Sequence, residues 1–310
     1  MPLHPQIKAY LDRESASGAP PRSELTIDQI RELSIRKSGL AGKPVPLPVV
    51  RDTAVPGPAG DIPVRIYRPD QGVLPVFVYL HGGRFISGNL DTHDSICRAL
   101  AAEAGCMVVA VDYRLSPEHK FPAAVYDSYS VTEWLESHGG EIDADPRSIG
   151  IGGDSAGGNL AASVTLLALR KNRPSFRCQV LVYPMLDATC SLPSHQEYAS
   201  GYGPGSYDMR LGYKEYLPSS TDPKHPLASP LWSEGFSGLP PALVLTAEFD
   251  SLRDDGESYV EYLREAGIEV VHTRYDGAIH GFFQMAGEWE LGKQAISEVA
   301  EYLREFLVEL

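Results

Sequence analysis

From Gly150 the chain reads GIGGDSAGGNL, a single serine set among five glycines and an alanine. Glycine weakens regular structure by about 0.5–1 kcal/mol relative to alanine, so such a cluster needs a geometric reason. Gly153-Asp154-Ser155-Ala156-Gly157 fits G-x-S-x-G, a sharp strand-to-helix turn that pushes the serine hydroxyl out above a sheet. Small residues at 153 and 157 let the two backbones approach, and the first N–H groups of the helix favour negative charge beside the serine. Two other glycine-rich loops fit less well. A dinucleotide loop starting at Gly150-x-Gly152 would have Ser155 where its third glycine belongs, and a phosphate loop would need G-K-[ST].

A serine hydroxyl is a weak nucleophile at neutral pH and needs a base, which in turn needs an orienting acid. On this elbow the chain order is Ser, acid, His. Four histidines follow Ser155. His195 and His225 fall in an irregular stretch, and His272 lies inside a predicted strand. His280, in DGAIHGFF, stands just past that strand's end, where open sheets of alternating strands and helices place their chemistry. The same rule selects Asp250 at the end of ALVLTAEFD as the acid. Asp254 and Asp255 are expected to cap the helix that begins there.

The elements that must hold these residues alternate. Strand-like runs at IPVRIYRP, PVFVYLH, CMVVAVDY, SIGIGG, CQVLVYP, PALVLTAEFD and IEVVHTRY are separated by helix-like segments. One of these, DTHDSICRALAAEAG, reads as a helix with an aspartate cap and a terminal glycine. This pattern predicts an α/β fold, a mostly parallel sheet with helices on both faces. The last helix lines up Ala295, Ile296, Val299, Ala300, Leu303, Phe306 and Leu307. Residues 1–45 read as one or two helices, ended by GKPVPLPVV. Between about 187 and 230 the rhythm stops in a polar, aromatic, turn-rich stretch with a short helix near SYDMRLGYKEYL, the kind of insertion that often covers an active site.

Upstream, YLHGGRFISGN closes another buried strand. His81-Gly82-Gly83, DYRLSPEHKFPAAVYD (Asp112 to Asp127), GDSAGGNLAA, EFDSLRDDG and DGAIHGFF occur in that order over about 200 residues. In these motifs the chain resembles the bacterial hormone-sensitive-lipase-like (family IV) esterases of the G-D-S-A-G branch. The resemblance implies an α/β-hydrolase core of about eight strands, split into 46–186 and 231–310. It also implies a helical cap built from 1–45 and the 187–230 insertion. It further implies hydrolysis of short- to medium-chain acyl esters by Ser155, His280 and Asp250, with an oxyanion hole of backbone N–H groups from Gly83, residue 84 and Ala156. A homodimer through the outer strand and the last helix is consistent with it.

One residue departs from the family's H-G-G-G: Arg84 replaces the third glycine. A backbone donor survives this change if residue 84 keeps a φ below zero. The guanidinium either turns away to pair with nearby carboxylates or narrows the pocket and attracts substrates with an acidic group. Asp112, Tyr113, Arg114, Pro117, Glu118 and His119 read as scaffold near the site, with Arg114 and Glu118 in buried ion pairs and His119 packed and hydrogen-bonded.

With 27 Lys+Arg against 41 Asp+Glu the net charge is −14, and no basic run interrupts it, which argues against nucleic acid or anionic membrane as a partner. No 18-residue apolar run and no secretory leader is legible, and four cysteines without C-x-x-C spacing read as reduced thiols, so the expected compartment is the cytoplasm. No cofactor and no metal site is expected. The same triad would serve an amidase or small peptidase, and a ligand receptor on this fold would typically lose a triad member.

Overall fold

The computed structural model describes residues 2–20 and 22–309. Its centre is one eight-stranded sheet: β1 (Val49–Gly57), β2 (Gly60–Arg68), β3 (Leu74–Leu80), β4 (Met107–Val111), β5 (Ala144–Asp154), β6 (Cys178–Val182), β7 (Ala242–Phe249) and β8 (Val270–Ile279). The spatial order is β1-β2-β4-β3-β5-β6-β7-β8; β2 runs antiparallel to both its neighbours and the rest are parallel. Nine α-helices accompany it among the described residues: α1 (Pro5–Ala16), α2 (Ile27–Lys37), α3 (Asp94–Ala104), α4 (Ala123–His138), α5 (Ala156–Lys171), α6 (Pro193–Glu197), α7 (Ser206–Tyr216), α8 (Arg253–Glu265) and α9 (Glu290–Leu303).

Successive residues of a strand point to opposite faces, and the central strands are apolar on both. In β3, Val76, Val78 and Leu80 join the core under α4, α5 and α8, whereas Phe77 and Tyr79 join the core under α1, α3 and α9. β4 divides in the same way, Val109 to one side and Val108 to the other. This explains why PVFVYLH and CMVVAVDY read as continuous apolar runs. The last helix buries Ala295, Ile296, Val299, Ala300 and Leu303 as its spacing predicted.

The strand missing from the sequence reading is β1, which begins inside GKPVPLPVV. It lies at the sheet edge and is exposed along most of its length, so it carries little of the apolar signal that marks a buried strand. α3 also differs, since its N-cap is His93, whose side chain does not cap the helix, and Asp94 is its first residue.

Asp254 and Asp255 are not the caps expected of them. Both lie inside the first turn of α8, and their carboxylates hold the 187–230 stretch instead. Asp255 is fully buried; it accepts the N–H groups of Leu186 and Asp187 at 2.8 and 3.0 Å and pairs with His195 Nε2 at 2.9 Å. Asp254 accepts the N–H of Ser194 at 2.8 Å. His195 is thus a buried pin on α6. Removing one partner from a buried, hydrogen-bonded pair leaves the others unsatisfied, at about 3–5 kcal/mol. Asp255→Ala is expected to lower the unfolding free energy by that amount, measured as a shift of the urea midpoint.

Candidate active site

β5 ends at Asp154 and α5 begins at Ala156, leaving Ser155 alone at the bend with φ 55° and ψ −116°. A non-glycine residue held at positive φ costs about 1–3 kcal/mol, and the surroundings fix it. Ser155 N–H donates to the Val182 carbonyl at 2.8 Å, and its own carbonyl accepts from Met185 and Asn159 at 3.1 Å each. A Cβ on Gly153 or Gly157 would run into the Leu80 carbonyl at the end of β3, so the two glycines are small because the strands and helix meet there.

The structure brings three of the predicted residues into one chain of hydrogen bonds. His280 Nε2 stands 3.0 Å from Ser155 Oγ, and His280 Nδ1 stands 2.8 Å from Asp250 Oδ2. Asp250 follows the last residue of β7 and His280 that of β8, so neighbouring parallel strands deliver both. The other Asp250 oxygen accepts the Leu252 N–H at 2.9 Å, which holds the carboxylate in place. Tyr183 closes the imidazole's flank, ring centroids 4.6 Å apart. The remaining later histidines lie elsewhere: His272 contacts Thr246 Oγ1 at 3.1 Å within the sheet, and His225 meets the Phe121 ring edge-on.

Above Ser155 runs the turn after β3. Among the described residues no acceptor engages the backbone N–H of Gly83 or Arg84, and Ala156, first in α5, has no N–H partner within its helix. Gly83 and Arg84 share with Ser155 and His280 a cavity of about 440 Å³. The condition set for residue 84, a φ below zero, is not met, since Arg84 has φ 57° and Phe85 φ 63°. The condition was too strict, because the Arg84 N–H is left without an acceptor among the described residues all the same. Two consecutive left-handed residues without glycine are held by α7. Gly212 lies directly against the Cβ and carbonyl of Arg84, Arg84 Nη1 donates to Asp208 Oδ1 at 2.7 Å, and Phe85 stacks on Tyr216 at 3.8 Å between centroids.

The sequence reading missed Asp154, His93 and Gln284. Asp154, one residue before the serine, is wholly buried. It accepts from Tyr79 Oη at 2.7 Å, Gly82 N–H at 2.9 Å and Gln284 Nε2 at 2.6 Å, with His93 Nε2 at 3.2 Å. Burial by itself would push this carboxyl up; the His93 ring, the Tyr79 hydroxyl and the Gly82 N–H outweigh it and hold it at about 2. His81 is different: burial, with His93 beside it, pushes its ring down to about 3. It is therefore neutral at working pH, stacked on Tyr113 at 4.3 Å with Nδ1 2.8 Å from the Gly82 carbonyl. The DYR…PEH segment is scaffold with two corrections. Arg114 pairs with buried Asp127 at 2.7 Å, but Glu118 is exposed where it meets Arg31 of α2, and His119 is exposed as well.

Such a sheet, with a serine elbow at its centre and an imidazole and a carboxylate from its last two strands, defines an α/β-hydrolase. The chain belongs to that family, in its hormone-sensitive-lipase-like esterase branch: residues 77–284 match the alpha/beta hydrolase fold family. It is 45% identical over 249 residues to the carboxylic ester hydrolase LipN of Mycobacterium tuberculosis, covering 77% of this chain and 66% of that protein. It is 35% identical to an ethyl acetate hydrolase of Pseudomonas putida over 99% of this chain and all of the other. A hyperthermophilic esterase from Pyrobaculum calidifontis superposes with a TM-score of 0.93 at 39% identity, covering 98% of this chain and 99% of that one. Among the described residues no helix is long and apolar enough to cross a membrane, and no group of three or more His, Cys, Asp or Glu is placed to hold a metal.

Asp154 supplies a test of the network. Its folded pKa lies below the ordinary carboxylate value of about 3.9, so its contribution to stability is complete above about pH 4 and is lost as pH falls through about 2. Asp154→Asn turns an acceptor toward Gln284 Nε2 into a donor. It is expected to lower stability by on the order of 2 kcal/mol at pH 7, the gap to wild type narrowing between pH 4 and 2 in denaturant titrations.

Proposed function

We propose that this chain is a carboxylesterase working through an acyl-enzyme on Ser155. The observation that carries the reading is the continuous Ser155–His280–Asp250 hydrogen-bond chain opening into a cavity beside unengaged backbone N–H groups. In it, His280 Nε2 takes the serine proton as Oγ attacks the ester carbonyl. Asp250 keeps the other ring proton on Nδ1 and stabilises the imidazolium. The N–H groups of Gly83, Arg84 and Ala156 receive the oxygen as it becomes negative, helped by the N-terminus of α5. His280 then protonates the leaving alcohol, and a water that it deprotonates releases the acid and restores the serine.

The same reading treats 1–45 and 187–230 as the two parts of a cap. Its support is that Tyr10, Leu11, Ile30 and Leu33 from the first part, and Gly203 and Met209 from the second, line the cavity above Ser155. A cavity of about 440 Å³ belongs to the small-molecule class and suits short- to medium-chain acyl esters. Four unpaired, buried cysteines accord with a cytoplasmic enzyme, and the outer position of β8 in the sheet with a homodimer through that strand and the last helix.

Assay of p-nitrophenyl esters from acetate to palmitate tests the reading. Wild type is expected to peak at short or medium chains, and Ser155→Ala and His280→Ala are each expected to lower kcat on the order of 10⁴-fold or more. Activity that survives loss of Ser155 would overturn the assignment of the nucleophile.

A further inference from the structure

The wall of the cavity carries an imbalance of charge that ester hydrolysis does not require. Three cations line it, Arg22, Lys37 and Arg84, in a protein whose net charge is −14. Lys37 is satisfied, with Nζ 2.6 Å from Glu14 Oε2 and 2.6 Å from Tyr10 Oη. The two arginines share one carboxylate. Asp208 Oδ1 accepts from Arg84 Nη1 at 2.7 Å, and Arg22 Nη1 reaches that same oxygen only at 3.8 Å, beyond hydrogen-bond range. The other Asp208 oxygen takes the Gly205 N–H at 3.1 Å.

A guanidinium has five N–H donors. Among the described residues Arg84 places one of them and Arg22 none, although their side chains are only 11% and 29% exposed. A cation withdrawn from water with its donors unpaired is costly, and two cations on one anion leave a full positive charge uncompensated. The other acids close to the site are already hydrogen-bonded elsewhere: Asp250 to His280 and the Leu252 N–H, Asp154 to its four partners, and Glu14 to Lys37, with Arg22 acting on Glu14 through its charge but making no hydrogen bond to it. What remains is a place for an anion. It lies one side chain's length from the reaction, because Arg84 also contributes its backbone N–H beside Ser155.

We propose that the arginine pair Arg22 and Arg84 binds a carboxylate on the substrate, so that the preferred esters carry a carboxylate a few bonds from the scissile carbonyl. This inference rests on the carboxylesterase reading and narrows its substrate class. A carboxylate fits better than a point acceptor, since its two oxygens match the planar fork of a guanidinium and can be shared between two of them. The carboxylate can belong to either side of the ester: the acyl part, as in the half-ester of a dicarboxylic acid, or the alcohol part, as in an acylated hydroxy acid.

The experiment compares two matched pairs by pH-stat: monoethyl glutarate against ethyl pentanoate for the acyl side, and 4-acetoxybutyrate against butyl acetate for the alcohol side. In at least one pair the wild-type enzyme is expected to turn over the carboxylate ester with a kcat/KM equal to or above that of its neutral partner. In that pair Arg22→Gln is expected to lower the ratio about tenfold, mainly through KM, with Arg22→Lys losing less. The pair that responds assigns the side. Taking the ratio removes any general loss from imperfect folding of the variant. Discrimination of more than about tenfold against both carboxylate esters in wild type, or ratios that Arg22→Gln leaves unchanged, would overturn the proposal. Failure of the neutral esters to react at all would instead strike the carboxylesterase reading, a separate and recognisable result.

Discussion

A carboxylate with no access to water sits directly beneath the serine. Asp154 is the residue before Ser155, and its charge is sustained by a hydroxyl, an amide, an imidazole and a backbone N–H contributed by four separate parts of the chain. Tyr79 belongs to β3, Gly82 to the turn after it, His93 to the start of α3, and Gln284 to the segment four residues past His280. Each donor is worth more here than in water, and each would be left facing a bare buried charge if it moved. Ser155, the Gly82–Arg84 turn and the His280 loop are therefore positioned against one common point. Distances as short as 3.0 Å between Ser155 and His280 follow from that shared reference, although the two residues are 125 positions apart.

The turn above the serine shows how side chains can substitute for a missing glycine. Gly83, at φ 129°, needs the freedom of glycine, and a Cβ there would meet the Ser87 carbonyl. Arg84 and Phe85 take left-handed values without that freedom, and they do so under α7. Gly212 gives the room, Asp208 holds the guanidinium, and Tyr216 stacks on Phe85. A helix from the 187–230 stretch is thus part of what shapes the turn, in addition to walling the cavity.

Much of this was legible in the sequence, for reasons that differ by element. The central strands announce themselves because both faces are buried and little but apolar residues fits. Ser155, Asp250 and His280 could be picked out because parallel strands expose chemistry at their carboxyl ends, and each of the three follows a strand. β1 was hidden because an exposed edge strand has no apolar face to display, and its neighbourhood is rich in proline. Asp254 and Asp255 were misread because an acid in the first turn of a helix is ordinarily explained by that helix alone. Their partners, Ser194 and His195, are about 60 residues away in a stretch without periodicity. Asp154 left no signal beyond its place in the motif, since nothing local distinguishes a buried, four-partner carboxylate from a solvated one.

The residue at 84 joins these threads. The turn is held from below by Asp154 on Gly82, from the side by α7, and from above by Arg31 of α2. Arg31 donates to the Ile86 carbonyl at 2.9 Å and to the Ser116 carbonyl at 3.1 Å while pairing with Glu118. Within the turn, the Gly83 carbonyl accepts the N–H groups of Ile86 and Ser87 and the Ser87 hydroxyl. Ordinary hydrogen bonds contribute about 1 kcal/mol net each, and a left-handed non-glycine residue costs about 1–3 kcal/mol. Restraints of this number therefore offset the strain without leaving a large surplus. Glycine at 84 would remove one of the two strained residues and still offer its N–H to the cavity. What glycine cannot supply is the cation, and that cation is the part of Arg84 whose donors the other described residues leave mostly unused.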